Sequence, residues 1–338
     1  MSARYDMVIT EVIAVSVKRR VLEILNRDRG SYISGEQIAR ELSITRSAVW
    51  KAIRTLREEG CAIEATTRRG YMLHETADVL TPEAVKERLR GAAKNLRLKK
   101  LETVNSTNVF LRECALNGEA EGLVVLSDEQ TEGRGRRGRS FHSPAGAGLY
   151  MSVLLRPTCS LEESLFLTTA AASAVALSIE KISGQSAQIK WVNDVLIKGK
   201  KVCGILTEAA IAMETGGLEF AIVGIGVNVR QPEGGYPEDI RETAAAIFTK
   251  NPAGGVRSRL AAEILNRFMN YYRSLERKTF LNDYKRRSVV IGKDVTVIGG
   301  GEEKRAHVLD IDENCRLLVV YEDGSEGTLS SGEISIKI

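Results

Sequence analysis

The sequence predicts an α+β chain in three units: an amino-terminal winged helix-turn-helix (residues 1–75), a central mixed α/β domain with a largely antiparallel sheet (76–287), and a small carboxyl-terminal β-barrel (288–338). Three observations carry this prediction. Residues 17–73 hold three helical periodicities followed by a basic hairpin. From Thr81 onward strand and helix patterns alternate. From about residue 289 short strands and glycine turns take over, as in DVTVIGGG and AHVLDIDENCRLLVVYEDGSEGTL.

In the first helix Val17, Val21, Leu22, Ile24 and Leu25 form one apolar face, and the pattern ends before Gly30. Ser34, three residues ahead of Gln37, has the spacing of a capping box and opens a second, short helix. Thr45 is placed to cap a third, in which Val49, Ile53 and Leu56 face inward and Gly60 marks the stop. The outer face keeps Arg46, Ser47, Lys51, Arg54 and Arg57, and the following CAIEATTRRGYML predicts a wing with Arg68, Arg69 and Gly70 at its tip. Residues 46–69 carry six basic side chains against three acidic ones, a balance that favours a phosphate backbone. Arg46, Ser47, Lys51, Arg54, Arg68 and Arg69 are the candidate DNA contacts; the same pattern also fits a three-helix packing module with a solvated face.

A boundary is expected near residues 75–81, where Thr81 and Pro82 form a helix start with proline at its first position. Beyond it, strands are expected over 123–127, 149–155, 187–191, 202–208 and 219–229, and helices over 106–116, 164–182 and 258–276. The apolar 219–229 segment is expected to serve as an edge strand available to a second copy.

Charge does not name a partner by itself, because 48 Lys plus Arg against 44 Asp plus Glu leave a net charge of only +4. Five cysteines stand far apart with no C-x-x-C, and there are only three histidines. That predicts a reduced, cytoplasmic chain without a disulfide framework or structural zinc. Asp6 and Glu11 interrupt the amino-terminal apolar stretch, so no secretory signal is expected. The uncharged run between Glu163 and Glu180 reads as a buried helix, not a membrane span.

Three segments carry chemistry. QTEGRGRRGRSFHSP (130–144) interleaves Arg134, Arg136, Arg137 and Arg139 with Gly133, Gly135 and Gly138. Glycines let backbone N–H groups approach an anion, and guanidinium forks match carboxylate and phosphate oxygens. Neither the P-loop nor the dinucleotide fingerprint is present, and a basic loop touching nucleic acid nonspecifically fits the same residues. In KWVNDVLIKGKKVCGILTE (190–208), Lys190 and Trp191 end a strand, and Asn193 and Asp194 open a hairpin turned at Lys198 to Lys200. One lysine at a strand end is commonly a surface charge. VGIGVNV (223–229) places Gly224, Gly226 and Asn228 on an apolar strand, which suits either a close ligand approach or simple packing.

Taken in order, VNSTN (104–108), QTEGRGRRGR, GLYMSVLLRP, KWVNDVLIKGKKVCGIL, GIGVNV and the closing GEISIKI closely resemble the biotin-protein ligases. With the basic amino-terminal module, the chain is similar to the bifunctional bacterial kind, both ligase and repressor of a biotin operon. The resemblance implies a central ligase domain, an SH3-like carboxyl-terminal barrel, and a two-step reaction using biotin, ATP and Mg2+. Biotin carboxylate attacks the α-phosphate to give biotinyl-5'-AMP and pyrophosphate, and a lysine of a biotin carboxyl carrier domain, such as that of acetyl-CoA carboxylase, then takes the biotinyl group. Operator DNA and a second copy of the chain are the other implied partners.

By the same resemblance, Ser106, Thr107, Asn108 and Gln130 hold biotin. Arg134, Gly135, Arg136 and Lys190 meet its carboxylate and the phosphate, with Lys190, Arg134 and Arg136 as the catalytic cations. Arg136, Arg137, Phe141, Asn193 and Asn228 bind the nucleotide, and no magnesium ligand set is evident. The chain departs from the family pattern at Val192, where proline is common between Trp and Asn; at Phe141, frequently tryptophan; and at Glu132, a carboxylate in the basic loop. Two other readings remain at this level: a ligase without operator function, and a sensor of biotin or its adenylate without transferase activity.

Overall fold

The structure, a computed structural model, describes residues 17–335 apart from 19, 59–60, 75–77, 161, 213–216, 250–253, 300–301 and 331–332. The amino-terminal stretch read for a signal, the Gly60 stop, the boundary segment at 75–77 and the last residues of GEISIKI lie outside the described residues. The chain divides into two compact units, Met1–Val79 with Asn251–Val256, and Leu80–Lys250 with Arg257–Ile338.

In the amino-terminal unit, helix α1 (residues 20–27) precedes α2 (Gly35–Leu42) and α3 (Arg46–Glu58), followed by strands β1 (Ile63–Thr66) and β2 (Gly70–Leu73). The expected caps form: Ser34 Oγ accepts from the Gln37 N–H at 3.1 Å, and Thr45 Oγ1 from the Ala48 N–H at 3.2 Å. Each satisfies an amide that the first helical turn leaves without an intrahelical partner. Val21, Leu25, Ile38, Val49, Ile53, Leu56, Ile63 and Leu73 make one core. The wing is tied to the start of α2 by reciprocal backbone hydrogen bonds between Ile33 and Tyr71, both 2.9 Å. Gly70 sits at φ +96°, where an added Cβ would lie 2.2 Å from the Ile33 carbonyl oxygen, so the hairpin turn needs glycine there.

The second unit begins with α4 (Pro82–Lys86), capped by Thr81 Oγ1, which accepts from the Ala84 N–H at 3.1 Å. Its sheet comprises β3 (Arg97–Val104), β4 (Leu123–Gln130), β5 (Gly148–Leu155), β6 (Gln188–Lys190), β7 (Asp194–Ile197), β8 (Lys200–Ile211) and β9 (Leu218–Asn228). The order is β3-β4-β5-β9-β8-β7-β6, with only β3 and β4 parallel, which agrees with the expected largely antiparallel sheet.

Strand β9 corrects one expectation. It lies in the interior, paired along its length with β5 and β8, and offers no edge. Its unbroken apolar run is that of a strand covered on both sides, which sequence alone does not separate from an edge.

Helix α5 (Thr107–Leu116) covers the face carrying Leu154, Phe220 and Ile222. Helix α6 (Ser164–Ser183) packs on the other, where Thr168 donates to Thr207 at 2.7 Å. Among the described residues α6 is the one helix long and apolar enough to cross a membrane, yet Phe166 through Ala176 are all buried in the fold. Helices α7 (Val256–Tyr272) and α8 (Leu281–Arg286) lead to a five-stranded antiparallel sheet of β10 (Asp294–Gly299), β11 (Glu302–Ile311), β12 (Leu317–Tyr321), β13 (Glu326–Leu329) and β14 (Glu333–Ser335), ordered β13-β12-β11-β10-β14.

Candidate active site

A cavity of about 1110 Å3 opens on the α5 face of the central sheet. Of the residues singled out in sequence, it gathers Ser106, Thr107, Asn108, Gln130, Arg134, Gly135, Arg136, Arg137, Phe141, Lys190 and Asn193. Asn228 is not among its lining; its Nδ2 donates instead to the Ala245 carbonyl at 3.1 Å.

The floor is a polar relay at the start of α5. Gln130 Oε1 accepts from the Thr107 N–H (2.9 Å) and lies 3.1 Å from its hydroxyl, and Gln130 Nε2 donates to Ser143 Oγ at 3.0 Å. Thr107 Oγ1 also lies 2.7 Å from Ser152 Oγ, which donates to Asn108 Oδ1 at 2.7 Å. Asn108 Nδ2 in turn donates to Glu208 Oε2 at 2.7 Å. Each member is held by the next, so the groups facing the cavity are fixed in orientation before any ligand enters. Ser106 occupies the N-cap position of α5 without a side-chain capping bond, which leaves its hydroxyl uncommitted to the helix. Gly224 makes room for this relay, because a Cβ there would stand 2.3 Å from Asn108 Oδ1.

The arginine-glycine segment is a small hairpin folded on itself. Gly135 N–H donates to Arg139 O at 2.7 Å and Phe141 N–H to Gly133 O at 2.8 Å. Gly133 is obligatory, since a Cβ would meet Phe141 O at 2.3 Å. At the tip, Arg137 (φ 55°) and Gly138 (φ 74°) take left-handed backbone. Arg136 donates to Asn193 Oδ1 at 3.3 Å, and Arg137 to the Ile298 carbonyl on β10 at 3.3 Å. The Phe141 ring settles over two glycines: Cβ atoms at Gly226 and Gly204 would lie 2.6 and 3.2 Å from it. Those glycines are what the close approach on β8 and β9 requires.

Lys190 ends β6 at the cavity wall. Among the described residues no carboxylate pairs with it, whereas nearby Lys201 is neutralised by Asp194 at 2.7 Å. The turn after Lys190 is fixed from behind. Trp191 Nε1 donates to Cys315 O, and the Tyr284 hydroxyl to Val192 O, both at 3.0 Å and both buried. The outer edge of β6 is occupied as well: Ile189 N–H donates to Arg287 O at 2.7 Å, and Val289 N–H to Ile189 O at 3.0 Å.

Two residues before Gln130, Asp128 lies between Lys100 (2.5 Å) and Arg257 (2.9 Å). Burial alone would push its carboxyl up, but the two cations outweigh that and hold it below the ordinary carboxylate range.

Sequence reasoning missed Met151, Lys201, Ile240, Thr243, Val289 and Lys293, which also line the cavity. The KGKK turn hinted at Lys201; the others come from a strand interior and from two loops without a motif. Among the described residues no group of three His, Cys, Asp or Glu side chains is placed to cage a metal ion. The arrangement therefore joins a pre-ordered hydrogen-bonding floor to a cationic wall and a glycine-rich cover, suited to bringing a carboxylate against a phosphate.

Comparison with known proteins places this geometry. The biotin/lipoate A/B protein ligase family matches residues 101–228, a helix-turn-helix domain family residues 17–72, and the biotin protein ligase C-terminal domain residues 290–337. A relative from Bacillus spizizenii, bifunctional ligase/repressor BirA, is 35% identical over 76% of this chain and 79% of its own length. The BirA of Escherichia coli is 26% identical over 91% of this chain and 94% of its own. A biotin–[acetyl-CoA-carboxylase] ligase of Mycobacterium tuberculosis is 30% identical over 75% and 95%. Among solved structures, the biotin protein ligase of Aquifex aeolicus in complex with biotin and ATP aligns with a TM-score of 0.59 at 28% identity, covering 71% of this chain and 98% of that one.

Proposed function

The chain belongs to the biotin protein ligase family, and from that premise we propose that it is an ATP-dependent biotin-protein ligase that also binds operator DNA as a repressor. One observation carries the catalytic half: the unpaired Lys190 and the arginine-glycine hairpin face the Thr107–Gln130 relay across one cavity. The three units are assigned to residues 1–75 for DNA binding, 76–287 for catalysis and 288–338 for the carboxyl-terminal domain, in line with the three matched families.

In this reading Ser106, Thr107 and Gln130 hydrogen-bond the ureido ring of biotin. Asn108, whose amide is already engaged by Glu208 and Ser152, steadies Thr107 from behind. Arg134 meets the biotin carboxylate beside Gly135, whose N–H is held by Arg139 O and whose missing side chain leaves room for the approach, and Lys190 lies between carboxylate and α-phosphate. There it offsets their repulsion and takes up the charge that grows as the carboxylate oxygen bonds to phosphorus and pyrophosphate leaves. Arg136, anchored on Asn193, steadies the adenylate, with Phe141 and Arg137 beside the nucleotide. Asn228 reaches the site only indirectly, through the backbone it holds at Ala245. The glycine-rich hairpin covers the mixed anhydride against water until a carrier lysine attacks the acyl carbon, AMP departs and the amine gives up its proton.

Magnesium fits this site as Mg-ATP. Its charge would be carried in on the triphosphate, with phosphate oxygens and water as its ligands, and it would there help to offset the repulsion between carboxylate and α-phosphate. The protein partner is a biotin carboxyl carrier domain, as of acetyl-CoA carboxylase. A winged helix of this type reads paired half-sites as a homodimer. With five free cysteines and its most apolar helix buried, the chain suits the reducing cytoplasm. The decisive test is mass spectrometry of purified protein with biotin and Mg-ATP. Biotinyl-5'-AMP that forms only when both are present, and is consumed by added carrier domain, is the expected result; biotin bound without adenylate would refute ligation.

A further inference from the structure

Helix α3 holds a feature that none of the residues assigned above accounts for: Trp50, with 54% of its surface exposed. The opposite side of the helix supplies the core through Val49, Ile53 and Leu56. Trp50 stands on the outer side, one turn after Arg46 and one turn before Arg54, whose guanidinium carbon lies 5.0 Å from the indole centroid. Lys51 is its neighbour on the same exposed face. Across the hairpin, the Arg69 guanidinium is held over the Tyr32 ring at 4.1 Å, and the Tyr32 hydroxyl donates to Glu64 at 2.5 Å, so the wing cation is fixed in place.

An indole left in water forgoes the stabilisation that aromatic burial gives, which makes this face a surface to be covered. The charge around it says by what. A second copy docking the same face would set Arg46, Lys51 and Arg54 against their own kind, at a cost in repulsion. A polyanion meets them favourably. Cations on phosphates fix position but carry no sequence information. A flat apolar side chain among them has one apolar feature to meet on the base edges of the major groove, the thymine 5-methyl group.

We propose that Trp50 is a sequence-reading residue of this protein, packing against a thymine methyl in the major groove while Arg54, laid against the indole, holds its orientation. The proposal rests on the DNA-binding reading above.

The test selects duplexes from a randomised pool with the full-length protein, then replaces each selected thymine by uracil, which removes only the methyl group. The expected result is a thymine in the selected sequence whose replacement weakens binding about tenfold. Trp50→Ala should bind the thymine and uracil duplexes equally, while still forming biotinyl-5'-AMP at the wild-type rate. No variant is needed for a second readout. Trp50 and the buried Trp191 are the two tryptophans of the chain, so acrylamide quenching reports mainly on Trp50 and should fall when the selected duplex is added. Equal binding of thymine and uracil duplexes by the wild type overturns the proposal. So does a Trp50→Ala protein that selects the same sequence but no longer self-associates, which would make Trp50 a contact between copies. A wild type that binds no duplex at low salt sinks the DNA-binding reading itself.

Discussion

On helix α3 the cations proposed to meet DNA are neighbours in sequence as well as in space: Arg46, Lys51 and Arg54 share one face because a helix repeats every 3.6 residues. In the catalytic cavity, Arg136 and Asn193 touch although 57 residues separate them, and Lys190 faces a relay that starts on α5. One surface is written by local periodicity, the other assembled by the order of strands in a sheet. The difference teaches where a substitution should act alone and where it should act through its neighbours. Independent phosphate contacts add, whereas residues that share a hydrogen-bonded network do not.

The sharpest way to break this contrast is Lys190→Ala. Removing this cation from the wall should lower adenylate synthesis by roughly 100- to 1000-fold, as for loss of a charge-stabilising donor, and leave duplex binding unchanged. Pyrophosphate release and DNA titration on the same sample decide it.

Next in size is Asp128→Asn, which takes from Lys100 and Arg257 the carboxylate that both of them contact, and should cost about 3 kcal/mol of stability in the catalytic unit. Asp128 is held below the ordinary carboxylate value of about 3.9, so as pH falls the unfolded chain takes up a proton first. Its contribution is complete above about pH 4 and is lost as pH drops through the folded-state value. Trp191 fluorescence during heating, in a Trp50→Phe background, should show that acid step in the parent and a weaker one in the variant.

Gln130→Ala opens the relay on which the ureido ring is proposed to rest. With buried partners left unsatisfied at about 1–3 kcal/mol, the biotin KM should rise roughly 5- to 100-fold, more than kcat falls. Steady-state kinetics at saturating ATP separate the two.

The smallest effect belongs to α3. Lys51→Ala or Arg46→Ala should weaken DNA binding a few-fold, equally across sequences, and reduce the slope of log affinity against log salt by about 0.9, with ligation intact. A cation on α3 whose loss also abolished adenylate formation in folded protein would erase the distinction between the two surfaces.

The same contrast explains what could be read from the chain. The caps at Ser34, Thr45 and Thr81 were legible because a helix start is decided within four residues. The arginine-glycine hairpin was legible because few backbones need that density of glycine and guanidinium together. Strand β3 was not, since as a half-exposed edge it carries Arg97, Lys99, Lys100 and Glu102 and shows no clean apolar alternation. The position of β9 was misread for a complementary reason: sheet order is a property of the whole chain, and no local window holds it. Asn228 sits in the motif-bearing strand, yet its amide turns to Ala245, a partner that only the folded loop supplies.

The bond from the Trp191 indole to the Cys315 carbonyl spans 124 residues of chain. At a translation rate of roughly 5–20 residues per second, that acceptor is synthesised about 6 to 25 s after the indole it holds. A ribosome-bound chain that has made all three ligase motifs but not yet Cys315 has no carbonyl to seat Trp191, and its Lys190 turn lacks one of the two bonds that fix it from behind. The order of synthesis thus delays assembly of a site that handles a hydrolysable anhydride until the last domain arrives to brace it.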